Sequence, residues 1–204
     1  SLVFLASALS FVGQHEMWRD ELQAWLLARD SQSVFALFAN LKYEYHQALW
    51  YLLLFPLTRL FAMPEAMQYL NVALATAAMY IMARYSPFSW LQKILLALSY
   101  FLFYEYALIA RNYALTLLFI FALCALFPKR SKHPLLFAVA LFLLCHTSLM
   151  GLFFAIAFTL TVLLESILLR FGKSTIQTID WQLVLASLIV VFGIGTAIVQ
   201  LSPP

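Results

Sequence analysis

The stretch that decides the fold runs from Ile94 to Phe127, ILLALSYFLFYEYALIARNYALTLLFIFALCALF, and its only charged residues are Glu105 and Arg111. As one straight helix this run would be ~51 Å long, at about 1.5 Å per residue, whereas the hydrocarbon core of a bilayer is about 30 Å thick. The run must therefore turn back, and its charges place the turn between Tyr104 and Tyr113. We expect two membrane-spanning helices, with Glu105 and Arg111 held at one membrane face.

The composition of the whole chain is that of an integral membrane protein. Of its 204 residues, 65% are hydrophobic and 10% are charged, against roughly 45–50% and about 25% in soluble domains. Further apolar runs of spanning length cover residues 66–83, 149–169 and 183–201. We predict an all-α, polytopic membrane protein in which residues 1–204 form a single transmembrane domain. Because the chain starts inside an apolar run, Ser1 to Val12, we expect it to be a fragment truncated at both ends.

Residues 13–65 are the most polar part of the chain and contain two neighbouring carboxylates, Asp20 and Glu21. Just after this pair, helical spacing relates the side chains that would line one face of a helix at the membrane interface: Leu22, Trp25, Leu26 and Arg29. The tryptophans fit a belt at headgroup level: Trp18, Trp25, Trp50, Trp90 and Trp181.

Two more short helices are predicted in this region. One runs from Ser33 to Leu41. The other follows His46, where the uncharged stretch before Arg59 is too short to cross a bilayer and is interrupted by Pro56. That segment is expected to be a juxtamembrane or re-entrant helix, so residues 13–65 are interpreted as an extracytoplasmic loop with interfacial helices.

The positive charges orient the chain. If residues 48–62 do not span, three short loops share one face and hold Arg84, Lys93, Lys129, Arg130, Lys132, Arg170 and Lys173. The positive-inside rule makes that face cytoplasmic. If residues 48–62 did span, the loop with Lys129, Arg130 and Lys132 would lie outside, against the rule. The outer face then gathers the ionisable residues found at loops and helix ends: Asp20, Glu21, His46, Glu105, Arg111 and His146.

Carboxylates beside a lone arginine on the outer face indicate chemistry on a phosphate-linked substrate carried by lipid. A guanidinium can bind a phosphate in bidentate fashion, and a carboxylate can take the proton of an attacking hydroxyl. Ionisable residues at membrane depth are also costly, at ~2.5–3.5 kcal/mol for Arg on insertion scales, which makes them functional candidates.

Three motifs in this order resemble the GT-C superfamily of membrane glycosyltransferases: Trp18-Arg19-Asp20-Glu21, then His46-Gln47-Ala48-Leu49-Trp50-Tyr51, then Tyr104-Glu105-Tyr106 with Ala110-Arg111-Asn112-Tyr113. The chain is most similar to protein-mannosyltransferase-like bacterial members, a group that includes the lipid A aminoarabinose transferases, over residues 1–170. The family's Asp-Glu pair matches Asp20 and Glu21, and its Arg-x-Tyr matches Arg111 and Tyr113.

Two other family motifs match less well. The family's turn with Thr or Asn and His corresponds loosely to His146-Thr147. In its His-Pro-Pro-x-Tyr motif the prolines are replaced here by Gln47 and Ala48, while His46 is present.

The resemblance implies a GT-C-type helical bundle and an inverting sugar transfer from a polyprenyl-phosphate donor to an acceptor hydroxyl outside the cell inner membrane. The acceptor would be a lipid, a glycan or a protein, and no nucleic acid is implied. Asp20 would be the general base, and Glu21 would orient the acceptor or hold a divalent cation, Mg²⁺ or Mn²⁺. Other residues would bind or support the donor phosphate: Arg111, Tyr113, Lys42 and His46, with Glu105 and His146 in supporting positions.

Several structural interpretations remain open at this point. Asp20 can cap a helix starting at Glu21, with Gln23 completing a capping box. Arg111 can pair with Glu105 merely to hold the turn. For the chain as a whole, a transporter or lipid flippase would also place charges at membrane depth, and a non-catalytic membrane scaffold would need no ionisable cluster at all.

Overall fold

The computed structural model describes residues 1–42, 44, 46–170 and 181–202, and every regular element in that part of the chain is a helix. The α-helices are α1 (Leu2–Val12), α2 (Arg19–Asp30), α3 (Val34–Leu41), α4 (Leu49–Leu60), α5 (Glu65–Tyr85), α6 (Trp90–Ala97), α7 (Tyr113–Leu126), α8 (Pro134–Cys145), α9 (Leu149–Arg170) and α10 (Trp181–Leu201). A π-helical segment, Tyr100–Leu108, precedes α7, and a short 3₁₀ turn, Phe127–Lys129, follows it. The prediction of an all-α chain is confirmed for these residues, while Lys173 lies outside them.

Three helices in the described part of the chain are long and apolar enough to cross a membrane: α5, α9 over Leu149–Leu168, and α10. This finding supports membrane association. In the most apolar 18-residue stretch of each helix, the rest of the protein buries 44% of the residues of α5, but only 17% of those of α9 and 22% of those of α10. Since large exposed apolar surfaces mark membrane or protein contacts, the outer sides of α9 and α10 suit contact with lipid.

The apolar run from Ile94 to Phe127 breaks at residues 109–112, inside the interval predicted for its turn, but its first half is not one continuous helix. α6 ends at Ala97, and the hydroxyl of Ser99 then accepts the backbone N–H of Leu102 at the start of the π-helical segment. α7 has 14 residues, or ~21 Å at about 1.5 Å per residue, which is short of the bilayer core. The two spans expected from this run are therefore not among the three long helices of the described residues.

α4 has 12 residues and contains Pro56, so at ~18 Å it is too short to cross a bilayer, as predicted. Its two ends are tied to other helices. The backbone N–H of Leu49 donates to the carbonyl of His146 at 3.1 Å, and the Arg59 guanidinium donates to the carbonyl of Arg29 at 2.9 Å. α4 therefore joins the end of α8 to the end of α2.

The side of α2 that is buried in the protein adjoins the face predicted for the membrane interface, and Trp25 belongs to both. The helix packs against α4, and its buried residues are Glu21, Ala24, Trp25 and Ala28, whereas Leu26 is 41% exposed. The two alanines let the helices approach closely, and a carboxylate takes a core position. Leu26 and Arg29 are exposed, so the interpretation of this face as interfacial stays a prediction, whereas Trp25 lies in the core.

Two of the tryptophans assigned to an interfacial belt lie in the core instead. Trp25 and Trp50 are 1% and 2% exposed and belong to one buried cluster that joins α2, α4 and α5. Trp18, Trp90 and Trp181 are exposed, as a belt requires. The buried cluster also contains Ala110, so it connects α2 to the turn before α7.

Candidate functional site

Asp20 and Glu21 sit in the first turn of α2 and point to different surroundings, because successive residues of a helix are rotated by about 100°. The Asp20 side chain is 58% exposed, and that of Glu21 is fully buried. Glu21 rather than Asp20 caps the helix, since its Oε2 accepts the backbone N–H of Trp18 at 2.8 Å. The interpretation of Asp20 as the cap is therefore wrong.

The exposed carboxylate faces the arginine of the turn before α7. Nη1 of Arg111 donates to Oδ2 of Asp20 at 3.3 Å, and the Arg111 side chain is 24% exposed. The guanidinium also lies over the ring of Tyr113, with 5.3 Å between Cζ and the ring centroid. The Glu105 carboxylate makes no hydrogen bond or ion pair with the described residues, so the alternative that Arg111 pairs only with Glu105 is wrong.

A polar pocket of about 140 Å³ surrounds this ion pair. It is lined by Asp20, Gln23, Ala24, Glu44, His46, Trp50, Tyr51, Arg111 and Asn112. Gln23 holds Glu44 across the pocket, with its Nε2 donating to Oε2 of Glu44 at 2.7 Å. The pocket therefore gathers carboxylates, one guanidinium and one imidazole from α2, from the segment before α4 and from the turn before α7.

Burial lowers the pKa of His46 from its usual value, and the nearby charge of Arg111 lowers the pKa further. Burial likewise raises the pKa of the Tyr51 phenol, and the carboxylate of Glu44 adds to that shift. Both effects favour neutral side chains at pH 7. The charged groups of the pocket are then the arginine and the carboxylates, while His46 offers a neutral donor and acceptor.

Lys42 and His146 lie elsewhere, in an apolar groove of about 670 Å³. The groove is lined by Phe38, Leu41, Lys42, Ala48, Leu49, Leu52, Phe142, Leu143, His146, Phe192, Thr196, Val199, Gln200 and Ser202. The segment from His46 to Tyr51 contributes to both cavities, with Ala48 and Leu49 in the groove and Trp50 in the pocket. Lys42 and His46, predicted as joint phosphate contacts, thus line different cavities.

His146 has structural partners for both ring nitrogens. Nδ1 lies 2.9 Å from the carbonyl oxygen of Phe142, and Nε2 lies 3.1 Å from the hydroxyl oxygen of Thr196. The neighbouring Thr147 contacts the site only through its backbone, since its carbonyl accepts Nδ2 of Asn112 at 2.9 Å. The His146-Thr147 turn therefore supports the turn before α7 from the side of α8.

Glu21 is held by three donors. Oε1 accepts the backbone N–H of Ala110 at 2.6 Å, and Oε2 lies 2.9 Å from Nε2 of His15 in addition to its bond from Trp18. Glu21 does not line the polar pocket. Its geometry suits the joining of α2 to the turn before α7 better than contact with an acceptor.

Two residues of this region were missed in the sequence. His15, whose side chain is only 7% exposed, carries no periodic or motif signal. Asn71 is fully buried in α5, where its Nδ2 lies 3.0–3.1 Å from the carbonyl oxygens of Tyr106, Ala107 and Ile109. A buried amide in a predicted membrane span was a usable signal for Asn71, because polar groups in such segments are costly and usually satisfied.

No group of three or more His, Cys, Asp or Glu side chains in the described residues is arranged to hold a metal ion. The divalent cation stays a prediction. The chain matches no protein-family model, and no curated protein or solved structure was found similar to it. The candidate function therefore depends on the geometry of the polar pocket and on the motif resemblance described above.

Proposed function

We propose that this chain belongs to an inverting glycosyltransferase of the GT-C type, which moves a sugar from a polyprenyl-phosphate donor to an acceptor hydroxyl. The observation that carries the proposal is the meeting of Asp20 and Arg111, 91 residues apart in sequence, at one polar pocket. A general base and a phosphate-binding cation must both lie within reach of the reacting atoms. The pocket offers one of each, together with the neutral imidazole of His46.

In the proposed reaction the acceptor hydroxyl attacks the anomeric carbon from the face opposite the phosphate. Asp20 takes the hydroxyl proton as the new carbon–oxygen bond forms, and the bond from the anomeric carbon to the phosphate oxygen breaks with its electron pair on that oxygen. Arg111 stabilises the polyprenyl phosphate that leaves, since guanidinium groups bind phosphate oxygens through charge-assisted bonds. The proton on Asp20 then passes to water, and the anomeric configuration is inverted.

The ion pair between Asp20 and Arg111 suits this role because it is easily opened. A partly exposed pair joined by one long bond contributes only ~0–1 kcal/mol. A donor phosphate can therefore replace the carboxylate on Arg111 at little cost and free Asp20 to act as base. Tyr113, whose ring lies beneath the guanidinium, would keep Arg111 oriented during that exchange.

The apolar groove supports a lipid-linked donor. It adjoins the polar pocket along the segment from His46 to Tyr51 and carries Lys42 on its lining. A polyprenyl chain would lie in the groove, with its phosphate directed towards Arg111. In this proposal the chain crosses the cell inner membrane several times and the pocket lies on its periplasmic or extracellular side; the positive charge of the short loops supports that orientation.

Replacing Asp20 by Asn tests the proposal. The purified chain in lipid nanodiscs is offered radiolabelled polyprenyl-phosphate mannose, glucose and aminoarabinose with extracted cell-envelope acceptors, and release of polyprenyl phosphate is measured. We expect transfer from one donor, lowered at least ~100-fold in Asp20→Asn, because a general base contributes roughly 10²–10⁴-fold.

The matched control is Asp30→Asn, an exposed aspartate at the other end of α2 that pairs with the neighbouring Arg29. It should transfer at the rate of the unmodified chain. Undiminished transfer by Asp20→Asn would remove Asp20 as the base. Movement of an intact donor across sealed vesicles, without cleavage, would favour the transporter alternative instead.

A further inference from the structure

The turn that presents Arg111 has no regular structure of its own. It comprises residues 109–112, between the end of the π-helical segment and the start of α7. The last carbonyl groups of a helix and the first N–H groups of the next have no partners inside those helices. In a buried place these groups must be satisfied from elsewhere, and the partners that satisfy them fix where Arg111 lies.

Glu21 satisfies the turn from the side of α2. Its Oε1 accepts the N–H of Ala110, the residue immediately before Arg111, at 2.6 Å. The bond is buried, and the second carboxylate oxygen is occupied by Trp18 and His15. With both oxygens engaged and no exposure, Glu21 is unable to meet an acceptor hydroxyl without first releasing this turn.

Asn71 satisfies the turn from the side of α5. Its Nδ2 lies within 3.0–3.1 Å of three carbonyl oxygens, those of Tyr106, Ala107 and Ile109. An amide has two N–H donors, so at least one of them is shared between two carbonyls. The side chain therefore closes the end of the π-helical segment at the residues that lead into the turn.

We propose that Glu21 and Asn71, hereafter the clip, are positioning residues that fix the Arg111 guanidinium at the polar pocket. The clip holds the backbone on the N-terminal side of Arg111 from two helices. It also sets the position of Asp20, because Asp20 and Glu21 share the first turn of α2. The hydrogen bond from Ala110 to Glu21 thus brings the Asp20 carboxylate close to the Arg111 guanidinium.

The importance of the clip for catalysis rests on the proposed function, in which Arg111 binds the donor phosphate. The structural part of the proposal, that Glu21 and Asn71 hold the turn, does not depend on that function. Catalytic groups are sensitive to displacements of about 1 Å, which can cost ~10²-fold in rate. A turn held by a buried carboxylate and a buried amide limits such displacements.

Hydrogen exchange tests the structural part independently of activity. Exchange of the backbone amides in peptides covering residues 106–113 is measured by mass spectrometry on the full chain in nanodiscs. Glu21→Gln and Asn71→Ala should each speed exchange there at least ~10-fold, since local opening controls exchange. Glu16→Gln, an exposed carboxylate five residues before Glu21, should leave it unchanged.

Donor binding in a double-mutant cycle tests the positioning part, with decaprenyl phosphate as the probe. Glu21→Gln should weaken its binding ~10-fold in the unmodified chain and leave it unchanged when Arg111→Ala is already present. Interaction energies of this kind isolate residues that act through one another. Asn71→Ala repeats the cycle from the other helix, should Glu21→Gln fail to fold.

The outcomes separate the two proposals. Unchanged exchange at residues 106–113 would show that Glu21 and Asn71 do not hold the turn. The same loss of binding with and without Arg111 would show that they do not act through Arg111. Faster exchange with full binding of decaprenyl phosphate would overturn the positioning role. If the unmodified chain binds no decaprenyl phosphate, the proposed function fails, and the exchange experiment alone decides whether the clip holds the turn.

Discussion

The polar pocket and the clip meet at the dipeptide Asp20-Glu21, of which Asp20 lines the pocket and Glu21 belongs to the clip. The difference between these two residues distinguishes a proposed catalytic role from a structural one. Asp20 is 58% exposed and shares one bond of 3.3 Å with Arg111. Glu21 is fully buried and accepts the backbone N–H groups of Ala110 and Trp18. The first carboxylate can change partners when a substrate arrives, while the second cannot without opening the core.

The contrast also explains why an acidic pair is useful at this position. A single carboxylate cannot be both free to accept a proton and committed to the backbone. Two adjacent carboxylates on a helix face different sides, so one can be assigned to each task. The same turn of α2 then carries the proposed base and the bond that brings Arg111 to it.

The largest effect expected from this contrast is on stability. Glu21→Ala leaves the buried N–H of Ala110, the partly buried N–H of Trp18 and the His15 ring without their acceptor. An unsatisfied buried donor costs ~1–3 kcal/mol. We expect the free energy of unfolding to fall by at least ~3 kcal/mol. Asp20→Ala should lower it by less than ~1 kcal/mol, because it removes only a partly exposed ion pair.

Thermal and denaturant unfolding in detergent, followed by tryptophan fluorescence, measures both changes. Trp25 and Trp50 are buried beside the affected region and report on it directly. Equal losses of unfolding free energy in Glu21→Ala and Asp20→Ala would contradict the distinction between the two residues, because both carboxylates would then have the same structural role.

The second prediction concerns Arg111→Lys, which keeps the charge but loses the planar fork of donors. Lysine does not replace arginine where a phosphate is bound in bidentate fashion. We expect the KM for the polyprenyl-phosphate donor to rise ~10-fold, with little change in the KM for the acceptor. Steady-state kinetics with each substrate varied in turn measures this split.

Arg19→Lys is the matched control, since Arg19 is an exposed arginine on the same helix as Asp20 and does not line the polar pocket. It should leave both KM values unchanged. An equal rise of both KM values in Arg111→Lys would indicate that the residue holds the turn without binding the donor.

Much of the fold could be predicted from length and hydropathy. The break at residues 109–112 follows from the mismatch between an apolar run and the thickness of a bilayer. The short α4 follows from Pro56 and from the few uncharged residues available. Each of these two features depends on the sequence of a single segment, so it can be predicted without knowing how the segments pack together.

The candidate site was only partly predictable, because its decisive features are contacts between distant segments. Charge placement put Asp20 and Arg111 on one face but could not distinguish Asp20 from Glu21. That distinction comes from the side of α2 that packs on α4, which is set by Ala24 and Ala28 rather than by the larger Leu26. Helical periodicity indicated a face for the membrane interface and carried no information about which of the two carboxylates would be buried.

The partner of Glu165 illustrates the same limit at the other end of the chain. No feature of the sequence assigns it a partner, yet the Arg130 guanidinium of the basic loop donates to its carboxylate. The two residues are 35 positions apart and meet only because α8 and α9 return beside one another. Pairings of this kind depend on packing and carry no local signal.

The smallest expected effect is a pH dependence at His46, which tests how far the polar pocket is shielded from water. Burial, and next the charge of Arg111, lower the pKa of His46 in the folded chain below the usual value of about 6.5. The unfolded chain therefore binds a proton at a higher pH than the folded chain does. Stability then rises with pH between the two values and is lost as the pH falls below about 6.5.

The loss should stay under ~1 kcal/mol, because the side chain is only partly buried and water screens its charge. It is measured as the change in the free energy of unfolding between pH 7.5 and pH 5.5.

His46→Gln removes the titrating group and serves as the reference, because subtracting its pH dependence removes the contribution of the carboxylates, which also begin to titrate in this range. The difference between the two chains should shrink when Arg111→Ala is added, because the second cause of the lowered pKa is then gone. If the stability of the unmodified chain instead falls relative to that of His46→Gln as the pH rises from 5.5 to 7.5, His46 is stabilised as a cation. The polar pocket would then be more acidic and more open to water than its lining of Trp50, Tyr51 and Arg111 indicates.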